Sequence, residues 1–356
     1  MLKNRRSRLA RFFEELKLNA ILFTNLPNIR YLCGFSGSEG ALLVTMDAAW
    51  LLCDSRYTEQ AAGEVVGAEV RECAAVRMDT VAALAVENAL VKIGIEAAHT
   101  TVAAFRMMSD KLPGIELVEL GAVLDEIRRC KDQAELERLA TVATLASQAL
   151  HTVLPNIRPG LREVDFAIDL EFEMRRRGAD GLAFDIIVAS GVRGAMPHGK
   201  AGSKVIQSGE LITIDFGALK DGYHSDETVT VACGEPGSRA REIHAVVRAA
   251  HDMAIEAVRP GISCRELDAI ARDYIRDQGF GDYFGHGLGH GVGLQIHEAP
   301  TLSPRSSVLL AEGMVVTVEP GIYIPGFGGV RIEDTVVVTA DGVRLLTSAV
   351  KQLLVF

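Results

Sequence analysis

Two stretches of this chain read as copies of one β-hairpin: GELITIDFGALKDGYHSDETVTV, Gly209 to Val231, and GMVVTVEPGIYIPGFGGVRIEDTVVV, Gly313 to Val338. Each ends one strand on an acid and opens the next with another, so that together they present Asp215, Asp226, Glu319 and Glu333. Side chains alternate across an extended strand, which places Thr213 and Asp215 on one face of the first strand and Asp226, Thr228 and Thr230 on one face of its return strand. Glu319 and Glu333 repeat the arrangement. Four carboxylates gathered on one sheet face repel each other and must be protonated or neutralised by cations. Two divalent ions would balance their charge.

A second echo precedes the hairpins. RPGLREVDFAI, Arg158 to Ile168, recurs as RPGISCRELDAIA, Arg259 to Ala271, each a Pro-Gly turn followed by an acid-containing amphipathic helix. Helix and then strand pair therefore occur twice in the same order. Such a duplication is expected to fold as one curved antiparallel sheet with helices on its outer face, the halves related by a pseudo-twofold axis near which the four acids meet.

A chain of 356 residues calls for more than one domain. Short apolar runs at Ala20 to Thr24, Ala41 to Thr45 and Ala49 to Cys53, broken by Asn-Pro and Gly-rich turns, read as an α/β domain. Before them, Leu9, Phe12, Phe13 and Leu16 fall at the spacing of an amphipathic helix rather than forming a signal-peptide core. From Asp125 to Leu154 the pattern becomes one long helix, charged at first and then rich in Ala and Leu. The expected division is residues 1–121 and 122–356. No segment is long enough to span a bilayer. The net charge of −10 opposes binding to nucleic acid or to an anionic membrane surface. The six cysteines are scattered without a CxxC pair, which points away from a disulfide framework or a thiolate metal site and toward a reducing cytoplasm.

Between the hairpins lies YFGHGLGHGVGLQIHEAP, Tyr283 to Pro300, with His286, His290 and His297 embedded in glycine. A lone histidine is usually a core or surface residue; three within twelve positions, flanked by the duplicated acids, point to metal or substrate contact. His198, in ASGVRGAMPHG, is a weaker candidate by itself. GAMPHGKA approaches a phosphate-binding P-loop, but Ala201 stands where Ser or Thr is required and Pro197 interrupts the loop. There is no HExxH helix and no GxSxG nucleophile elbow.

ASGVRGAMPHG, TIDFGALKDGYHSDETVT, GHGLGHGVGLQIHEAP and VEPGIYIPGFGGVRIEDT, in that order, together with NIRYLCGFSGSEG and CDSRYTEQA near the amino terminus, resemble the prolidase and aminopeptidase P group of metallopeptidases, relatives of methionine aminopeptidase. The likeness covers nearly the whole chain. It implies a small amino-terminal α/β domain of the creatinase/prolidase type followed by a pita-bread catalytic domain. Position by position, it assigns Asp215 to one metal, Asp226 and Glu333 as carboxylates bridging two, and His290 and Glu319 to the other metal. It further implies that His198 and His297 meet substrate and intermediate, that Tyr323 and Arg331 support the site, and that His286 is a site histidine. Homodimers are common in this group.

Oxygen-rich coordination with one imidazole favours Mn²⁺ or Co²⁺, with Zn²⁺ and Fe²⁺ as further candidates. Two such ions would activate water and polarise a peptide carbonyl, with Glu319 as the proton acceptor. The implied reaction is hydrolysis of the bond between an amino-terminal residue and proline, in a dipeptide or a longer peptide. The alternative is a catalytically silent binding protein on the pita-bread fold. Proteins of that kind characteristically lose metal ligands, and this chain carries all five.

Overall fold

The computed structural model describes residues 2–73, 76–121 and 126–356. Internal contacts divide the chain into two compact units, Met1–Arg128 and Arg129–Phe356. The expected boundary after Gly121 abuts residues 122–125, which lie outside the described residues.

In the amino-terminal unit the predicted single leading helix is two: α1 (Leu2–Ser7) and α2 (Ala10–Leu16). The tight i to i+3 bonds from Arg8 N to Arg5 O and from Leu9 N to Arg6 O interrupt the ladder. The apolar spacing nevertheless works, because Leu9, Phe12 and Phe13 are buried. The apolar runs become β1 (Ala20–Phe23), β2 (Ala41–Val44) and β3 (Ala49–Cys53), joined by β4 (Glu69–Glu72), β5 (Lys92–Glu96) and β6 (Glu116–Leu120) in one mixed sheet of order β4-β3-β2-β1-β5-β6. Helices α3 (Leu26–Cys33), α4 (Thr58–Glu64), α5 (Arg77–Glu87) and α6 (Val102–Lys111) complete the unit. Leu22, Leu43, Trp50, Leu52, Val81, Leu84, Ile93 and Ile95 form its core.

The long helix expected from Asp125 to Leu154 is also broken. A short α7 (Glu126–Arg129) stops where Cys130 pairs in a β-bridge with Met314, and Asp125 lies outside the described residues. α8 (Gln133–Val153) then starts afresh, with Asp132 and Glu135 closing a reciprocal capping box. That pairing satisfies two otherwise orphaned backbone N–H groups, which outweighs continuing a helix through Cys130.

The duplication is visible in the carboxy-terminal unit. α9 (Glu163–Arg176) follows α8, and α11 (Cys264–Asp277) follows α10 (Ser238–Ala257). Both Pro-Gly turns place the glycine in the left-handed region, Gly160 at φ +92° and Gly261 at φ +86°. Gly160 N donates to Ile206 O and Gly261 N to Leu310 O, at 3.0 and 2.8 Å, so each turn is tied down in the same way. Around them run β7 (Gly181–Leu182), β8 (Ile187–Ser190), β9 (Glu210–Phe216), β10 (Ala218–Lys220), β11 (Tyr223–His224) and β12 (Glu227–Cys233) in the first half. The second half holds β13 (Gly289–Gly291), β14 (Glu298–Leu302), β15 (Val315–Val318), β16 (Gly321–Ile324), β17 (Gly328–Arg331), β18 (Asp334–Thr339) and β19 (Gly342–Leu345).

One continuous curved ladder is not what forms. Hydrogen bonding gives a three-stranded sheet β12-β9-β8 and a five-stranded sheet β14-β13-β15-β18-β19, with smaller sheets β11-β10-β7 and β16-β17 beside them. Among the described residues the two hairpins meet at a single antiparallel bridge, Thr228 to Glu333. α8 and α9 pack on β8, β10 and β11, and α10 and α11 on β14, β15 and β19. Val247, Ala250, Ala271, Val316, Val318, Ile332 and Val336 fill the space between helices and strands. Among the described residues no helix is long and apolar enough to cross a membrane.

Candidate metal centre

The single bridge between the hairpins is where the acids converge. In the first hairpin the register pairs Asp215 with Thr228, so Asp226, two residues before Thr228, lies diagonal to Asp215 on the same face. Glu333 arrives from the second hairpin through Glu333 N to Thr228 O at 3.1 Å. Carboxylate oxygens of Asp215, Asp226 and Glu333 consequently lie within 4.8 Å of one another. Glu319, at the end of β15, is held by its backbone N donating to Leu288 O at 2.8 Å and by Thr317 Oγ1 donating to its Oε1 at 3.1 Å.

His290 sits on β13 between two glycines that have no room for a side chain. A Cβ on Gly289 would come within 2.1 Å of Thr317 O, and one on Gly291 within 2.4 Å of Ala299 O. Glycine here lets both neighbouring strands close on the imidazole. His290 Nδ1 lies 3.0 Å from Gly291 O, an acceptor only, so Nδ1 carries the hydrogen. Nε2 then presents a lone pair to Glu319 Oε1 at 3.3 Å and Asp226 Oδ2 at 3.5 Å. A lone pair facing two carboxylates is repulsive unless a proton or a cation lies between them. Asp215 Oδ1 and Glu333 Oε1 are likewise buried and without a hydrogen-bond partner among the described residues.

The electrostatics point the same way. Burial first, and then the charges of Glu333 and Asp215, push the Asp226 carboxyl well above the usual carboxylate range. Burial, followed by Glu319 and Asp215, does the same for Glu333. Burial raises Glu319 to about 7 against the opposing pull of Arg331. Oxygen donors of three or four acids and one neutral imidazole suit hard or borderline divalent cations. The residues present therefore fit the metal ions that the chemistry calls for.

Two further groups border the acids. Arg331, buried on β17, donates from Nη2 to Asp215 Oδ2 at 2.5 Å, and from Nη1 to Tyr323 Oη at 2.9 Å and Pro197 O at 3.2 Å. His286 Nδ1 lies 2.8 Å from Gly287 O and Nε2 lies 2.9 Å from Tyr323 Oη. Nδ1 is therefore the donor, and Nε2 accepts from the tyrosine. Burial keeps this imidazole neutral, with its pKa pushed down to about 4, and raises Tyr323 to about 12. The chain His286, Tyr323, Arg331, Asp215 is one connected network reaching the acids.

His297 and His198 differ from the rest in being exposed. The His297 ring stands edge-on to His290, with centroids 4.3 Å apart. His198 lies on the loop whose Pro197 carbonyl Arg331 holds, and burial, with His198 as the last of the lesser causes, lowers the pKa of both His286 and His297. The structure thus brings together every site residue expected from the sequence, with buried Asp226 and Glu333 and half-buried Asp215, Glu319 and His290 at the centre and two accessible imidazoles at the edge.

Other contributors take no site role from the sequence, although strand alternation places Thr228 on the face of Asp226. Thr228 Oγ1 donates to Glu333 Oε2 at 2.6 Å, and Thr317 Oγ1 accepts from His290 N at 3.0 Å while bonding Glu319. Both threonines lie on the acid-bearing strands at even spacing from an acid, a signal that could have found them. Lys131 Nζ, 3.1 Å from Glu298 Oε2, sits far away in sequence and carried no such signal.

Residues 137–340 match metallopeptidase family M24, and residues 5–130 match the creatinase/prolidase N-terminal domain. The fold is similar to the solved Xaa-Pro dipeptidase from Bacillus anthracis, with a TM-score of 0.98 and 41% identity covering 100% of both chains. It is also similar to the X-Pro aminopeptidase from Thermotoga maritima, with a TM-score of 0.90 and 37% identity over 96% of this chain and 99% of that one. A relative named Xaa-Pro dipeptidase from Pyrococcus furiosus is 37% identical over 99% of this chain and 100% of its own length. With acids, histidines and both domains accounted for, this chain belongs to metallopeptidase family M24.

Proposed function

We propose that this protein is a metal-dependent exopeptidase that hydrolyses the bond between an amino-terminal residue and proline. The observation that carries the reading is the inward-facing donor set: His290 Nε2 aimed at Glu319 and Asp226, beside the unpartnered Asp215 Oδ1 and Glu333 Oε1, with exposed imidazoles next to it. Such a set is of no use to a silent binding protein, whose buried acids would instead be paired or replaced. The similarity to proteins named Xaa-Pro dipeptidase and X-Pro aminopeptidase supports the substrate class.

In this reading Asp215, Asp226, His290, Glu319 and Glu333 hold two divalent ions, Mn²⁺ or Co²⁺ before Zn²⁺ or Fe²⁺. Bound there, the ions would supply Lewis acidity for the scissile carbonyl and make water acidic enough to react near neutral pH. Glu319, whose carboxyl is raised to about 7 in the metal-free protein, takes the attacking water's proton and passes it to the leaving prolyl nitrogen. His297 and His198 bind the substrate and hydrogen-bond the developing oxyanion. Tyr323 and His286 hold Arg331, and Arg331 fixes both Asp215 and the Pro197 carbonyl beside His198. The same proposal takes residues 1–121 as the leading domain and 122–356 as the catalytic domain, in a cytoplasmic homodimer.

Steady-state turnover of Xaa-Pro, Xaa-Pro-Yaa, Xaa-Ala-Yaa and their N-acetylated forms tests this. A site shaped for a tertiary amide leaves an extra N–H unpaired and a ring volume unfilled, so Xaa-Pro peptides should be preferred over Xaa-Ala by roughly ten- to a thousandfold in kcat/KM. Acetylation should remove activity, because the free amine sets the register. Equal turnover of Xaa-Pro-Yaa, Xaa-Ala-Yaa and their acetylated forms would refute the assignment, and the ratio of Xaa-Pro to Xaa-Pro-Yaa decides between dipeptidase and aminopeptidase.

A further inference from the structure

In each hairpin the metal-facing acid that opens the return strand is the first of a doublet, Asp226-Glu227 in the first and Glu333-Asp334 in the second, and a threonine follows each doublet. Neighbours on an extended strand point to opposite faces, so each metal-facing acid has a partner acid directed behind the sheet. Glu227 is completely buried there and Asp334 nearly so. Two buried carboxylates require a counter-charge.

One ammonium serves both. Lys351 Nζ lies 2.6 Å from Glu227 Oε1 and 3.1 Å from Asp334 Oδ1, and the lysine is itself buried. Backbone and hydroxyl donors fill further acceptor positions on both carboxylates. Glu227 Oε1 accepts from Ala349 N at 2.8 Å, and its Oε2 from Ser147 Oγ at 2.5 Å. Asp334 Oδ1 accepts from Thr347 Oγ1 at 2.6 Å, and its Oδ2 faces His251 Nε2 at 3.2 Å. Ser348 N to Ser147 Oγ, at 3.1 Å, pins the segment that delivers the lysine. Among the described residues the main chains of the two hairpins share only the Thr228 to Glu333 bridge, which leaves their spacing to side chains.

We propose that Lys351 is a positioning residue for the metal centre. By holding Glu227 and Asp334 on one ammonium it sets the separation of Asp226 and Glu333, and so the affinity for the second of two ions. This rests on the reading that Asp226 and Glu333 bridge both ions. A lysine near the carboxy terminus thereby acts on a site it does not touch, through the acids adjacent in sequence to the bridging ones.

Calorimetric titration of metal-stripped, full-length protein with Mn²⁺ tests this in wild type, Lys351→Met, Lys351→Arg and Glu227→Gln, with thermal unfolding of each metal-free protein alongside. Wild type should take up two ions. In Lys351→Met the second ion should bind about 10- to 100-fold more weakly, the range for losing an outer partner of a ligand, and Lys351→Arg should recover most of the affinity. Glu227→Gln keeps the side chain's size but weakens the bridge from its other end, so it should weaken the second ion in the same direction. A lysine that served only the fold would lower the unfolding temperature and leave metal affinity unchanged, so folded Lys351→Met with wild-type affinity for both ions overturns the proposal. Where Lys351→Met does not fold, wild-type affinity in Glu227→Gln overturns it equally. Failure of wild type to bind a second ion is a separate result, and it overturns the bridging-ligand reading itself.

Discussion

Replacing Lys131 with methionine tests how the catalytic unit holds the turn that carries His297. Cys130 bridges Met314, and this turns the next side chain inward, where the Lys131 side chain is 1% exposed and that of its partner Glu298 4%. Lys131 Nζ lies 3.1 Å from Glu298 Oε2, and Glu298 Oε1 accepts from Gln295 N at 3.0 Å. The carboxylate therefore joins the start of the unit to the residues just before His297. Methionine has similar bulk and no charge, and a buried carboxylate deprived of its cation costs about 3–5 kcal/mol. Glu298 keeps the Gln295 amide, so the lower end, about 3 kcal/mol, applies. At about 2–4 °C per kcal/mol for a unit of this size, Tm should fall by about 6–12 °C. Loosening of the turn should lower kcat more than it raises KM, as follows from the proposed role of His297 on the intermediate. Calorimetry of metal-saturated protein and steady-state kinetics on an Xaa-Pro substrate read both effects. The double variant Lys131→Met with Glu298→Gln removes the carboxylate charge that faced Lys131 and should regain more than half of the lost Tm. A single variant that keeps wild-type Tm to within about 2 °C together with wild-type kcat refutes the reasoning, as does a double variant no more stable than the single.

Ligand and substrate roles separate in elemental analysis. Asp226→Asn and Glu333→Gln should lose bound metal along with rate, whereas His198→Ala and His297→Ala should lose rate at near wild-type metal content; the reverse pattern would invert the assignment. Chelation should abolish hydrolysis and lower Tm, with Mn²⁺ or Co²⁺ restoring both, because ions that bind only the folded state at about a hundredfold excess over Kd add about 2.7 kcal/mol. Full activity in metal-free protein would contradict this. Buried His244 is held down to about 4 from an ordinary 6.5, chiefly by burial. Its contribution is therefore present above pH 6.5 and lost as pH falls toward 4, by about 3 kcal/mol. In chelator-treated protein His244→Leu should flatten that acid limb of stability, and an unchanged slope would show that His244 is not its source.

The acids at the metal centre were legible because strand alternation is local. Asp215, Asp226 and Glu333 share a face by a rule that operates over two residues, and the Pro-Gly turns at Gly160 and Gly261 repeat a backbone conformation written in one dipeptide. The histidine cluster was legible for a related reason: Gly289 and Gly291 flank His290 because two strands close on it. Local signals also misled. Periodicity carried the helix through Cys130, although the capping pair Asp132 and Glu135 was there to be read, and it merged α1 with α2.

What the sequence by itself determined is the chemistry available: four acids on two matching hairpins, three glycine-set histidines between them, and a duplicated order of helix and strand pair. What only the tertiary structure decided is who meets whom. Arg331 reaches Asp215 and the Pro197 carbonyl, Lys131 reaches Glu298, and Lys351 reaches Glu227 and Asp334, in several cases across more than a hundred residues. The lone bridge that joins the two sheets at Thr228 and Glu333 among the described residues belongs to the same class. Alternation and turn geometry are set by backbone sterics within a few residues, whereas a buried charge finds its partner only when packing brings distant segments together and leaves no water to serve instead.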